Sequence, residues 1–377
     1  MPILLTGGAT MKIRTFGLLL LLVFALGCGS TTTKNTSNAA RTYSGTASVG
    51  DFLTITLNPA ALTFSYTNLS NGDTGTDIPY LVNADGTYTL QDPHGNLVAA
   101  YEVSGFGLLV QAKKAGPNHN AFALITAVAK GSGISTTTWA NQSFNYMQFR
   151  TAAGGLEIGS VTMDAQGDVN NNSYWPYGAS SNQSPFNTGF FSASSFVPDP
   201  SGAFMTMSNG NGGSDYVFGT LNGVFVVDSS NGSIIGLKKA ASKNFDPATA
   251  GTYKAIYYQK TGATTGVGNV ETGTPSLGNA TIVVGSNGQI TVQDSQGNTI
   301  VQTALTAVAD APYLYGSGGE LSDPCFGLFT FRVTTLNSQQ DVFVTFVDHA
   351  VLFSSFTGAI PAAQGNTYNY MYGVGLK

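Results

Sequence analysis

Along most of the chain, apolar and polar residues alternate or apolar residues run for a few positions, and turn residues interrupt them. The stretch "GVFVVDSSNGSIIGLKKA" (223–240) is typical: an apolar run, a polar break at Asn231-Gly232, a second apolar run and a lysine pair. Neighbouring side chains of a strand point to opposite faces, so this pattern reads as half-buried or fully buried strands. No stretch of useful length carries the 3.6-residue period of a helix. Asn-Gly pairs stand at 71–72, 209–210, 211–212, 222–223, 231–232 and 287–288, and Asp85-Gly86 adds another. These residues tolerate the positive φ of tight hairpin turns, so each pair marks a candidate antiparallel connection. The pattern predicts an all-β, antiparallel, hairpin-rich sandwich or barrel.

One segment recurs. "DGTYTLQDPHGN" (85–96) aligns without a gap with "NGQITVQDSQGN" (287–298), sharing Gly, Thr, Gln, Asp, Gly and Asn at the same offsets. Tyr88 and Leu90 answer to Ile290 and Val292, so the apolar face is kept. "RTYSG" (41–45) and "GTYKA" (251–255) open the two copies, and "FNYMQFRTAAGGLEIGSVTMDAQGDV" (144–169) reads as a divergent third relative. The polar stretch "ASKNFDPATAG" (241–251), with Asp246-Pro247, is the natural break. The expected organisation is two related β-domains, at 42–243 and 250–377.

Composition narrows the setting. Charged residues make up 9% of the chain, against about 25% in ordinary soluble proteins. Glutamate occurs four times (Glu102, Glu157, Glu271, Glu320), and Gly and Thr abound. Such a chain is poor in helix formers and must coat its surface with Ser, Thr, Asn and Gln. With 15 basic against 20 acidic side chains there is no basic patch to follow phosphates, which excludes nucleic acid as a partner. Low charge and alternating aromatics also suit a transmembrane barrel. The N-terminus and the crowding of short turns favour a folded body outside the bilayer.

That N-terminus reads Met11-Lys12-Ile13-Arg14, an apolar run from Phe16 to Leu26, then Gly27-Cys28. A basic start, a short apolar run and a small residue before the cut are the parts of a secretory signal, and the run is too short to span a bilayer. Ala25-Leu26-Gly27-Cys28 resembles the lipobox of bacterial lipoprotein precursors. The resemblance covers residues 11–28 alone. It implies a signal peptide at 11–27, lipidation of Cys28 and a membrane anchored through acyl chains. Residues 28–41, polar and aperiodic, then form a flexible tether, and Met1–Thr10 reads as an over-extended gene start. Gly29 after the cysteine, in place of Asp, favours the outer membrane. Removing Lys12 and Arg14 with the signal leaves 13 basic against 20 acidic groups, a formal charge of −7.

Candidate chemistry is sparse. No HExxH, CxxC or GxSxG pattern occurs, so the zinc peptidase, thiol redox and α/β-hydrolase signatures are missing. His94 falls in a turn and His119 in a loop. His349 follows Asp348 on an expected strand, where the two would face apart. Cys325 reads as a buried small hydrophobe. Asp164, Asp168, Asn170 and Asn172 are spaced like the start of a calcium loop but lack its glycine and closing glutamate, so an Asx-rich turn is expected. "NNNSYWPYG" (170–178) places Tyr174, Trp175 and Tyr177 in an expected amide-rich loop, where Trp175 either plugs one end of the β-core or joins the tyrosines in stacking on sugars or partner side chains. The reading is a lipid-anchored cell-envelope protein with a non-catalytic binding or structural role, no cofactor, and a glycan or envelope protein as partner. The alternatives are an extracytoplasmic hydrolase using a carboxylate pair on glycans and a carrier of an apolar ligand.

Overall fold

The computed structural model describes residues 38–116, 118, 120–130, 135–149, 157–176, 187–188, 196–200, 204–209, 212–230, 232–266, 269–270, 274–310, 325–334, 339–357 and 367–377. Ala39–Lys377 forms one compact unit in which both expected segments, 42–243 and 250–377, lie together. Apart from two 3-10 turns, Pro247–Thr249 and Val308–Asp310, its regular structure is antiparallel strand.

Eight strands in simple up-and-down order close into a barrel. They are β1 (Arg41–Ala47), β2 (Asp51–Asn58), β3 (Thr63–Asn68) and β4 (Thr74–Val82), followed by β5 (Tyr88–Gln91), β6 (Leu97–Val103), β7 (Gly107–Ala115) and β8 (Ala121–Ala129). Closure comes from β1, where Thr46 faces Phe52 of β2 on one side and Thr126 of β8 on the other. Alternate positions fill the inside: Tyr43, Ile55, Leu57, Phe64, Ile78, Leu90, Val98, Leu108 and Ile125 belong to one buried cluster. That interior is apolar, where a membrane barrel carries a polar lumen and a lipid-facing apolar belt.

The next nine strands form a second sheet. These are β9 (Ser143–Phe149), β10 (Glu157–Met163), β11 (Val169–Pro176), β12 (Asn187–Thr188) and β13 (Val197–Pro198), then β14 (Met205–Ser208), β15 (Ser214–Thr220), β16 (Val224–Ser229) and β17 (Gly232–Lys238). First and last strands pair again, Ile235 facing Met147. Trp139 sits at 1% exposure in the core of this sheet, edge-on to Phe144, Phe196 and Phe225.

The third sheet repeats the plan. It holds β18 (Gly251–Gly266), β19 (Asn269–Val270), β20 (Thr274–Val284), β21 (Gln289–Gln293) and β22 (Thr299–Ala304). It continues through β23 (Thr306–Ala307), β24 (Leu328–Thr334), β25 (Gln339–Val347), β26 (Ala350–Thr357) and β27 (Thr367–Leu376). Here β18 pairs with both β20 and β27, so first strand meets last once more. The expected break at 241–251 is the connection from the second sheet to the third.

Each sheet wraps its own core, and a fourth core joins them. On β16, Phe225 and Val227 point into the second sheet while Val224 and Val226 join the shared cluster. On β26, Val351 and Phe353 serve the third sheet, and Ala350 and Leu352 the shared one. This two-faced burial is why the strands read as continuous apolar runs. Aromatic pairs cross the joints: Phe52 of the barrel stacks on Tyr216 at 4.6 Å, and Phe149 of the second sheet stacks on Tyr372 of the third at 4.6 Å.

The repeated segment is one hairpin used three times. Asp92 Oδ1 accepts the backbone N–H of His94 and Asn96, and Asp294 Oδ1 accepts those of Gln296 and Asn298. Asp164 does the same for Gln166 and Asp168. The glycine at the fourth position, Gly95, Gly297 or Gly167, takes a φ of 82–84°, open to glycine without strain.

Candidate functional site

Several expected site residues change place. The stretch expected as an amide-rich loop is strand: β11 runs to Pro176, with Trp175 opposite Ile158 and Tyr174 opposite Gly159. The amides lie in a ladder, whose pairing demand outweighs their turn preference. Tyr177 lies outside the described residues, as do His119 and Cys28. Asp164 is spent on its turn, and Asp168 Oδ1 accepts the N–H of Phe196 at 3.2 Å. Asn170 and Asn172 follow on β11. Asp348-His349 is not within a strand: the two residues form the tight connection from β25 to β26, which brings His349 Nε2 to 3.3 Å from Asp348 Oδ2. Cys325 is buried in the shared core.

A cleft of about 640 Å³ lies between the barrel and the third sheet, within the size range of ligand sites. Asn83, Asp85, Thr87 and Tyr101 line one wall, and β18, β20 and the 293–297 turn the other. Its polar groups are mostly amides and hydroxyls. Asn83 Nδ2 donates to Thr87 Oγ1 at 2.9 Å and to Thr89 Oγ1 at 3.0 Å. Across the cleft, Lys254 Nζ donates to Thr281 Oγ1 at 3.3 Å and lies 3.8 Å from Asp85 Oδ2. Asn279 Oδ1 accepts from Gln111 Nε2 of the barrel at 2.7 Å, which pins the two bodies at the cleft floor. Sequence reading passed over Tyr101 and Asn279 because nothing local distinguishes them. The cleft exists only where two sheets meet.

Its carboxyls are poorly suited to acid catalysis. Partial burial pushes Asp85 up, but the Thr87 hydroxyl and N–H together with Lys254 outweigh it, and the group titrates below its ordinary value. Asp294 is likewise lowered, first by the Asn298 side chain. A general acid needs the opposite shift. Among the described residues, the two carboxyls that burial raises, Asp215 and Asp228, line neither this cleft nor the barrel mouth. Among the described residues no group of three His, Cys, Asp or Glu side chains is arranged to hold a metal.

One end of the barrel is sealed by a polar plug. Glu102, 2% exposed, accepts from Arg41 Nε and Nη2 at 2.6 Å each, from the Tyr88 hydroxyl at 2.9 Å and from the Tyr43 hydroxyl. Burial and the neighbouring Glu102 charge raise both tyrosine hydroxyls, which stay protonated as donors.

The fold is thus that of an all-β, three-sheet protein with a polar cleft between two of its sheets. No protein-family model matches the chain. No curated protein is significantly similar to it. Among solved structures, it is similar to a transferrin binding protein B double mutant from Haemophilus parasuis, at 9% identity over 90% of this chain and 76% of that one, with a TM-score of 0.26. The isotype 1 transferrin binding protein B of serogroup B Neisseria meningitidis gives 12%, 87% and 66%, with a TM-score of 0.23. Likeness at that level carries no conclusion about ligand.

Proposed function

We propose that the chain is a lipid-anchored cell-envelope protein with a non-catalytic binding role, and that its cleft takes a neutral, hydroxyl-rich ligand such as a glycan strand. The observation that carries this reading is the cleft wall: amides and hydroxyls converge from two sheets beside the ring of Tyr101, while the charged groups are paired or engaged in turns. Sugars are recognised by such a combination, an aromatic ring against their apolar face and planar amides for their hydroxyls. The anchor rests on the signal and Cys28, with the outer membrane favoured by Gly29.

Calorimetric titration with soluble neutral hexasaccharides, cellohexaose and chitohexaose, tests the ligand. Saturable binding that Tyr101→Ala weakens roughly tenfold, as expected for loss of one stacking ring, supports the reading. Heats that never saturate, or that ignore the substitution, overturn it. The anchor is tested by membrane fractionation and protease shaving of cells carrying wild type or Cys28→Ala. Release of the variant from membranes is expected, and its retention would refute lipidation as the sole anchor.

A further inference from the structure

The barrel is a blind well. Its plugged end holds Arg41, Tyr43, Tyr88 and Glu102, and the opposite end, where the β1–β2, β3–β4, β5–β6 and β7–β8 turns gather, opens on a cavity of about 80 Å³. The wall is aliphatic and aromatic, with Leu53, Ile55, Phe64, Ile78, Leu90 and Val110 among its members. A water needs roughly 10–15 Å³ and two to four polar partners, and an apolar cavity of about 150 Å³ admits benzene. This well is too apolar to hold water firmly and too small for a ring. Its dimensions suit a short alkyl chain.

The mouth selects the other end of such a molecule. Its lining carries three carboxylates, Asp51, Asp73 and Asp92, against one ammonium group, that of Lys114, with His94 at the rim. Asp73 Oδ2 accepts the Tyr66 hydroxyl at 3.1 Å, and the charges of both Asp73 and Asp92 act on that hydroxyl, so two hairpins bring their carboxylates to one side of the mouth. Asp51 Oδ2 accepts Gly116 N–H at 3.1 Å and is buried. Lys114 is exposed on a long flexible stem and can swing clear into water.

We infer that the open end of the barrel is a binding site for a short-chain alkylammonium, its chain in the well and its cationic head beside Asp73, with Asp92, whose Oδ1 already accepts the turn N–H groups of His94 and Asn96, adding only its charge. Asp73 accepts a charge-assisted hydrogen bond from the head, and the Asp92 charge adds to the attraction. This site is distinct from the cleft and does not depend on the glycan reading.

The test uses the full chain in low-salt buffer and three probes of equal length: n-butylamine, n-butanol and butyrate, followed by NMR shifts or calorimetry. The expected order is amine, alcohol, carboxylate, with the amine about tenfold ahead of the alcohol at low salt and the lead shrinking as salt screens the mouth. Asp73→Asn is expected to erase most of that lead without affecting the alcohol. Val110→Phe should fill the well and abolish binding of all three; should that variant fail to fold, Ala112→Leu at the partly exposed mouth replaces it. Absence of saturable binding by any probe overturns the inference, as does a preference for butyrate or indifference to filling the well. Tyr101→Ala is expected to leave amine binding unchanged, which separates this result from any failure at the cleft.

Discussion

The plug at the closed end of the barrel offers a quantitative test of how this chain tolerates buried charge. Glu102 is 2% exposed and Arg41 15%. Breaking a fully buried pair by removing one partner costs about 3–5 kcal/mol, because the other charge is left without compensation. Arg41→Met leaves Glu102 with the two tyrosine hydroxyls, so the loss belongs at the lower end, about 3 kcal/mol. Glu102→Gln keeps an acceptor for Tyr43 and Tyr88 but sets an amide against the guanidinium, which can turn partly to solvent; about 2 kcal/mol is expected. The double variant has no buried charge left and should lose about 2 kcal/mol rather than the sum of the single losses. The assay is urea denaturation followed by far-UV circular dichroism, comparing variants whose slopes match wild type. Additivity within about 0.5 kcal/mol, or single losses below about 1 kcal/mol, would refute the account of Glu102 as a charge held by its partner.

Burial holds the Asp228 carboxyl well above its ordinary 3.8, with the Thr46 hydroxyl pulling it back and the Asp51 and Asp215 charges pushing it further up. The folded chain therefore keeps a proton that the unfolded chain releases, and the associated stability is full below pH 3.8 and lost as pH rises through the folded value. Asp228→Asn should unfold at a higher temperature than wild type at pH 7 and at a similar one at pH 3.5; a variant less stable at pH 7 would contradict this. At the alkaline end, burial raises the buried Tyr43, Tyr253 and Tyr258, the last to about 12. Unfolded tyrosines ionise near 10, so stability should fall above pH 10 by about 1.4 kcal/mol per pH unit for each. Phenolate absorbance and near-UV circular dichroism should change together in one transition, and a gradual ionisation with the fold intact would count against it. Gly219→Ala would press a methyl into the Val224 carbonyl oxygen and to 2.7 Å from the Trp139 ring. An overpacking loss of about 3 kcal/mol is expected by the same urea assay, and a neutral result would show that the second sheet yields at this point.

What was legible in the sequence is what local chemistry decides. Asn71-Gly72, Asp85-Gly86, Asn222-Gly223 and Asn287-Gly288 all fall at hairpin connections, and their glycines take φ between 76° and 87°. The Asp-x-x-Gly hairpin could be found because its hydrogen bonds run within five residues, so identical chemistry leaves identical letters. Asp348-His349 was misread for the same local reason: it carries no glycine, and "VTFVDHAVLF" looks like one strand, yet Val347 pairs with Ala350 across it. The tight turn is imposed by the long ladders on both sides. "NNNSYWP" (170–176) shows the converse, a loop-like composition drawn into strand by pairing with β10.

The harder matter is where one body ends. In a chain 9% charged, apolar runs cover both strand faces, and the alternating residues of β16 and β26 each serve two cores. A strand buried on both faces looks alike whether its second face meets another layer of its own domain or a neighbouring sheet. Nothing in a single sequence distinguishes these cases, because the partner residues, Phe52 to Tyr216 or Phe149 to Tyr372, are 164 and 223 positions apart. The cleft inherits that opacity, since Gln111 and Asn279 meet across 168 positions. The barrel well does not: its rim is built from four local hairpins, and Asp73 and Asp92 sit beside turns whose letters were already conspicuous. A site made by hairpin tips can be read from sequence once the barrel is known to close. A site made by two sheets needs the packing itself.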